Sequence, residues 1–225
     1  MRTIRLLSFL TVATLPLAAC SKSGSSTAST SAPAAVTNTA DLTPERATQK
    51  APDVFKVRFT TTKGDIVTEC HREWAPNGAD RLYNLVKLGY YTDIGIYRVV
   101  DNFMMQFGIH GDPAVSARWR DARIADDPQV VSNQRGFVTF AKGGPNSRTT
   151  QLFINFENNE RLDPMGFPPV CRVIEGMNVV DSIFKVGEGA PGGPGPSQGR
   201  IQMEGNAYLK KDFPKLDYIK SAKLE

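Results

Sequence analysis

The amino-acid sequence predicts a mainly β fold: an antiparallel sheet closed or sandwiched on itself and covered by two helices. Three observations lead there. Short β-rich runs recur at close spacing with Gly, Pro, Asn and Asp between them, a hairpin pattern opens the folded part, and only two stretches repeat apolar residues at helical spacing.

The elements follow in order. Phe55, Val57 and Phe59 alternate with Lys56 and Arg58, Thr62-Lys63-Gly64-Asp65 makes a turn, and Ile66 to Cys70 continues in β-forming residues, giving a hairpin with one wet face. Pro76 opens a helix in which Leu82, Leu85, Val86 and Leu88 share a face, and Gly89 stops it. Strands are then expected over residues 95–100, 103–107, 136–141, 151–156 and 170–174. A second helix covers residues 177–184, with Val179, Val180 and Ile183 on one side. Gly187, Gly189 and Gly192 match the spacing of a dinucleotide-binding turn, but they follow a helix, and Pro191, Pro194 and Pro196 lack the N–H groups that cradle a pyrophosphate. A mobile Gly/Pro loop is the better reading. The tail, with Phe213, Leu216, Tyr218 and Ile219, is expected to pack on the sheet or form a short helix.

Composition bounds the function. The chain has 225 residues, 40% hydrophobic and 22% charged, which allows one sizeable core plus spare sequence. Mean hydropathy of -0.29 and a single short apolar run exclude a polytopic membrane protein. With Arg2 and Arg5 set aside, 25 basic residues face 23 acidic ones. That balance gives no reason to expect a nucleic-acid partner.

Residues 1–19 have the export pattern: Arg2 and Arg5, a short greasy middle, then small residues. Leu17-Ala18-Ala19-Cys20 resembles the lipobox of bacterial lipoproteins, which implies acylation of Cys20 and a membrane-anchored protein facing the periplasm. Residues 20–52 are rich in Ser, Thr, Ala and Pro and contain no aromatic residue, so they read as a disordered tether, with the folded domain over 53–225. Cys70 and Cys171 remain. In an exported domain they are either a disulfide or two buried thiols, and spacing alone leaves both open. His71 and His110 are not at ligand spacing, so no metal is expected. No heptads or long apolar stripe demand an oligomer, so a monomer is expected.

Tyr97-Arg98-Val99-Val100-Asp101-Asn102-Phe103-Met104-Met105-Gln106-Phe107-Gly108 resembles the cyclophilin segment that reads R, a few residues, then F-M-x-Q-x-G. Phe140-Ala141-Lys142-Gly143-Gly144-Pro145-Asn146-Ser147-Arg148-Thr149-Thr150-Gln151-Leu152-Phe153-Ile154 resembles the family's second element, and Leu162-Asp163, Gly166-Phe167 and Glu175-Gly176-Met177 follow its third in order. The resemblance is to cyclophilin-type peptidyl-prolyl isomerases. It implies a closed eight-stranded antiparallel barrel capped by two helices, no cofactor, and proline-containing polypeptides as partners. It also implies catalytic Arg98, Gln106 and Phe153, with Phe103, Met104, Ala141, Lys142, Gln151, Leu162 and Phe167 binding substrate. Ala141 and the Lys142 main chain are expected as peptide hydrogen-bond partners. The alternative is a proline-peptide-binding module with little turnover. The chain departs from the family at Arg161, where many members carry an aromatic residue, which argues against tight binding of cyclosporin-type macrocycles. It departs again at Phe107-Gly108-Ile109-His110 and lacks a histidine near Gly166-Phe167.

Overall fold

The computed structural model describes residues 38–225. The export segment 1–19, Cys20 and residues 20–37 of the expected tether lie outside the described residues. Eight strands close into an antiparallel barrel in the order β1-β2-β7-β5-β6-β4-β3-β8. They are β1 Val54–Thr61, β2 Gly64–His71, β3 Ile94–Val100, β4 Met104–Phe107, β5 Phe137–Phe140, β6 Leu152–Asn155, β7 Pro169–Glu175 and β8 Tyr218–Leu224. Closure removes the unpaired edges that an open sheet would expose.

Strand side chains alternate between faces, and this alternation separates core from site. Tyr97 and Val99, Met105 and Phe107, Leu152 and Ile154 belong to the main core, with Phe59 at its centre, edge-on to Phe107 at 5.8 Å and to Tyr91 at 6.0 Å. The residues between them, Arg98, Met104, Gln106 and Phe153, are left for the outer face.

Among the described residues there are four α-helices, where the sequence predicts two. The expected pair is α1 Pro76–Lys87 and α3 Met177–Ser182. Between them lies α2 Pro113–Trp119, which starts on Asp112, whose side chain accepts from Ala114 N, and on Pro113, fixed in helical φ. After them comes α4 Gln198–Asp212, capped by Ser197 and kinked at Gly205. A Cβ at Gly205 would sit 2.0 Å from Gly111 O, so the kink brings two backbones into contact.

Two further expectations are corrected. The tail forms β8, which pairs with both β1 and β3 and closes the barrel, because its β-forming residues fill the gap between those strands. Residues 38–52 are not a tether. Leu42 is 1% exposed, its carbonyl accepts from Trp119 Nε1 at 3.0 Å, Gln49 and Asn84 exchange hydrogen bonds, and Ala51 N donates to Asp80. One leucine and two short 3-10 turns, Thr39–Asp41 and Pro44–Arg46, anchor a stretch whose average composition suggests disorder. Cys70 and Cys171 are register partners on β2 and β7 and are bonded to each other, the first of the two alternatives. No described helix is long and apolar enough to cross a membrane.

Candidate active site

The outer face of β3, β4 and β6 carries the polar line of the site. Arg98 lies opposite Gln106 across β3 and β4, and Gln106 lies opposite Phe153 across β4 and β6. Arg98 Nη1 donates to Gln106 Oε1 at 2.8 Å. Gln106 Nε2 donates to Gln151 Oε1 at 3.0 Å, and the Tyr97 hydroxyl donates to the same oxygen at 2.6 Å. Burial raises the Tyr97 pKa, so the phenol stays a neutral donor. Both glutamine side chains are thereby oriented from behind.

Beside this line sits a small apolar cluster separate from the main core. Met104, Phe153 and Leu162, all under 10% exposed, form its base, and Val100, Phe103, Ala141 and Phe167 pack against them. Phe153 and Phe167 meet edge-on at 6.1 Å. The Asp163 carboxylate holds the loop that supplies Leu162 and Phe167. It accepts from Asn133 N at 3.0 Å, Asn133 Nδ2 at 2.8 Å and Ser132 Oγ, while Asn133 Nδ2 also donates to Phe167 O. Burial pushes the Asp163 pKa up, and the hydrogen bonds from Ser132 and Asn133 outweigh it and hold the group below the usual carboxylate range.

All ten residues expected at the site line one cavity of about 540 Å³. Gly143, Ser147, Thr149, Met165 and Gln198 line it as well, and were not foreseen. A neighbouring cavity of about 420 Å³ shares Gly143, Ser147, Thr149 and Gln151 with the first and is bordered by Arg120 and Arg123. The two cavities meet along that shared wall. The wall is fixed from below: Tyr91 OH donates to Thr150 O at 2.8 Å, Arg81 Nη1 donates to Thr149 O at 3.1 Å, and the fully buried Arg148 pairs with Asp127.

Three details add to the expected site. Ala141 N donates to Gln151 O at 3.0 Å, so that N–H is committed to the barrel and not to a peptide. The Lys142 ammonium pairs with Asp126 and lies 5.3 Å from the Phe167 ring, so its side chain braces the cavity rim. Arg161 lies 4.6 Å from the Phe103 ring and Arg98 lies 5.6 Å from it, which makes that ring a shared platform for two cations.

The Gly/Pro loop, expected to be mobile, is hydrogen-bonded to β3 and supplies a residue that the motifs did not indicate. Glu188 forms a two-point ion pair with Arg98, with Nε to Oε1 at 2.6 Å and Nη2 to Oε2 at 2.7 Å. These hydrogen bonds hold the Glu188 carboxyl below its usual range. Nothing in the spacing of Arg98 and Glu188, 90 residues apart, signals the pairing. Among the described residues no group of three or more His, Cys, Asp or Glu could hold a metal ion.

Residues 56–203 match the family described as cyclophilin type peptidyl-prolyl cis-trans isomerase/CLD. Peptidyl-prolyl cis-trans isomerase B of Escherichia coli is 30% identical over 145 residues, 60% of this chain and 88% of that protein. Peptidyl-prolyl cis-trans isomerase CYP65 of Arabidopsis thaliana is 29% identical over 113 residues, of which this chain spans 48% of its own length and 18% of the relative's. A cyclophilin type isomerase of Cryptosporidium parvum superposes with a TM-score of 0.58 at 18% identity, covering 76% of this chain and 98% of that one. Barrel order, outer-face groove and sequence match agree: the chain belongs to the cyclophilin-type peptidyl-prolyl cis-trans isomerases.

Proposed function

We propose that this chain accelerates rotation about X-Pro bonds in exported proteins, with the Arg98 guanidinium stabilising the twisted amide. The observation that carries the reading is a charged, pre-oriented donor beside an apolar hollow. Rotation about the amide faces a barrier of about 18–20 kcal/mol, because twisting sacrifices resonance. A turnover of about a thousand per second needs a barrier near 13 kcal/mol, so the site must supply about 5–7 kcal/mol. No nucleophile is required.

As the amide twists, its nitrogen becomes pyramidal and gains a lone pair able to accept a hydrogen bond. A charged hydrogen bond contributes about 1.5–3 kcal/mol and more where water is excluded. Arg98 supplies it. The remainder comes from gripping the proline ring against Phe103, Met104, Phe153 and Leu162 while the preceding residue turns, which favours the twisted form over either planar one. Three ring methylenes at about 0.8 kcal/mol each contribute only about 2–2.5 kcal/mol, so affinity for a short peptide is expected to be weak. Gln106 and Gln151 hold the arginine and the peptide backbone.

Export and anchoring through an acylated Cys20 are part of the same proposal. They are supported by the N-terminal pattern and by the bonded Cys70–Cys171 pair, which suits an oxidising compartment such as the periplasm. A protease-coupled assay on a proline tetrapeptide, with Arg98→Ala beside wild type, tests the chemistry. A rate loss of tenfold or more is expected in the variant; equal rates would remove the arginine mechanism, and no acceleration by wild type would remove the enzyme reading. Labelled palmitate incorporation lost in Cys20→Ser tests the anchor.

A further inference from the structure

The Arg98 guanidinium has five N–H donors. Nε and one Nη2 hydrogen go to Glu188, one Nη1 hydrogen goes to Gln106, and the other faces Met104 Sδ at 3.8 Å. One Nη2 hydrogen remains without a protein partner among the described residues, and it belongs to a group that lines the cavity. Glu188 and Gln106 thus grip the fork from two sides and leave a single donor over.

The loop is shaped to deliver that carboxylate. Gly187 exchanges two backbone hydrogen bonds with Val99, the residue after Arg98 on β3, at 2.8 and 3.2 Å. Gly187 has φ of +88°, a conformation glycine adopts without strain. Gly195 N donates to Glu188 O at 2.8 Å, and Gly189 N donates to Glu188 Oε1 at 3.0 Å. A Cβ at Gly193 or Gly195 would lie 2.6 or 2.8 Å from Glu188 O. The glycines are therefore where the chain must fold tightly round Glu188. The Glu188 side chain is 44% exposed, so its removal opens no internal cavity.

We propose that Glu188 is a positioning residue that locks the Arg98 fork in the groove with one donor left for the substrate, and that it governs turnover more than substrate affinity. The proposal rests on Arg98 being the donor to the twisted amide. Arginine's planar fork suits such a two-point grip, and a guanidinium already fixed loses less freedom as the transition state forms.

The test uses the full chain with Glu188→Ala, Glu188→Gln, Arg98→Ala and the Glu188→Ala/Arg98→Ala pair, measuring kcat and KM on a proline tetrapeptide. The expected result is a kcat about tenfold lower in Glu188→Ala, equivalent to about 1.4 kcal/mol, with KM within twofold. Glu188→Gln, which keeps one acceptor without charge, should fall between. In the Arg98→Ala background, Glu188→Ala should change kcat less than twofold. A kcat at or above wild type in Glu188→Ala would overturn the proposal, since the carboxylate would then compete with substrate for the guanidinium. A further tenfold loss in the Arg98→Ala background would also overturn it, because Glu188 would act independently of Arg98. Full activity in Arg98→Ala sinks the arginine mechanism itself; loss there with an intact Glu188→Ala sinks only the positioning role.

Discussion

Asp127→Ala should be among the most damaging substitutions in the molecule, although Asp127 touches no part of the cavity. Helix α1 begins without a cap of its own, since its N-cap is Ala75, which offers no side-chain acceptor. Asp127 arrives from 50 residues away to accept from Asn77 N and Gly78 N, both at 2.9 Å, and from Arg148 Nη2 at 2.9 Å. The Arg148 side chain is fully buried, and it also donates to Ala125 O. Losing a helix cap costs about 1 kcal/mol. Breaking a buried ion pair by removing one partner costs up to about 3–5 kcal/mol, and less here because Asp126 Oδ1 stays 3.4 Å from Arg148 Nε. Together these set an upper limit of about 4–6 kcal/mol, or a melting temperature lower by at most roughly 8–24 °C for a domain of this size. Urea and thermal melts of Asp127→Ala, Arg148→Met and the double variant measure it. The double variant should recover most of the charge penalty and retain only the cap loss. A single-variant loss below about 1 kcal/mol, or a double variant as damaged as the sum of the singles, would refute this account.

Three other outcomes follow from the same structure. The Cys70–Cys171 bond closes a loop with a sequence separation of 101, so reductant or the double serine variant should lower stability by about 2–5 kcal/mol; identical urea midpoints with and without reductant would refute it. Burial lowers the pKa of His110 below 6.5, only partly offset by Asp112. Above pH 6.5 both folded and unfolded states are neutral there and His110 contributes nothing. Below it the unfolded chain takes up a proton more readily than the folded one, so stability falls as pH drops through 6.5. Urea melts should show a shallower slope for His110→Gln, and parallel slopes would refute the assignment. Leu42→Ala should cost about 2–5 kcal/mol as a buried leucine, whereas an unfolded tether would lose nothing measurable.

What could be read from the sequence was periodic or local. Alternation in Phe55-Lys56-Val57-Arg58-Phe59 places the first strand, and the stripe of Leu82, Leu85 and Val86 between Pro76 and Gly89 places α1. The motif register was sufficient to gather ten residues that line one cavity. Elements without a clean period escaped. In α4 the large buried apolar residues are only Ile201, Tyr208 and Leu209, set among polar neighbours on either side of the kink at Gly205, too thin a signal to mark the helix. Leu42 is one apolar residue in a polar run, and a composition average conceals it. Asp127 with Arg148 and Glu188 with Arg98 are long-range charge pairs, set by the fold that brings distant loops together. No local pattern marks which of 27 basic residues meets which of 23 acidic ones.

The position of the groove follows from strand parity. On β4, Met105 and Phe107 enter the core while Met104 and Gln106 serve the groove; on β6, Leu152 and Ile154 face the core while Phe153 serves the groove. Core and site therefore share strands but not faces. The barrel supplies rigid backbone spacing to the site, and its core adds only the Tyr97 hydroxyl behind Gln151, which is how an outer-face donor can be held to within a hydrogen-bond length. A one-residue slip of β4 would carry Gln106 into the barrel and Met105 out of it, losing the cross-strand Arg98–Gln106 contact and the core packing together. Register is thus fixed by the core, and the site inherits its geometry. Substitutions confined to the groove face, such as Gln106→Ala, should then lower activity while changing stability far less than substitutions at Met105 or Phe107 on the same strand.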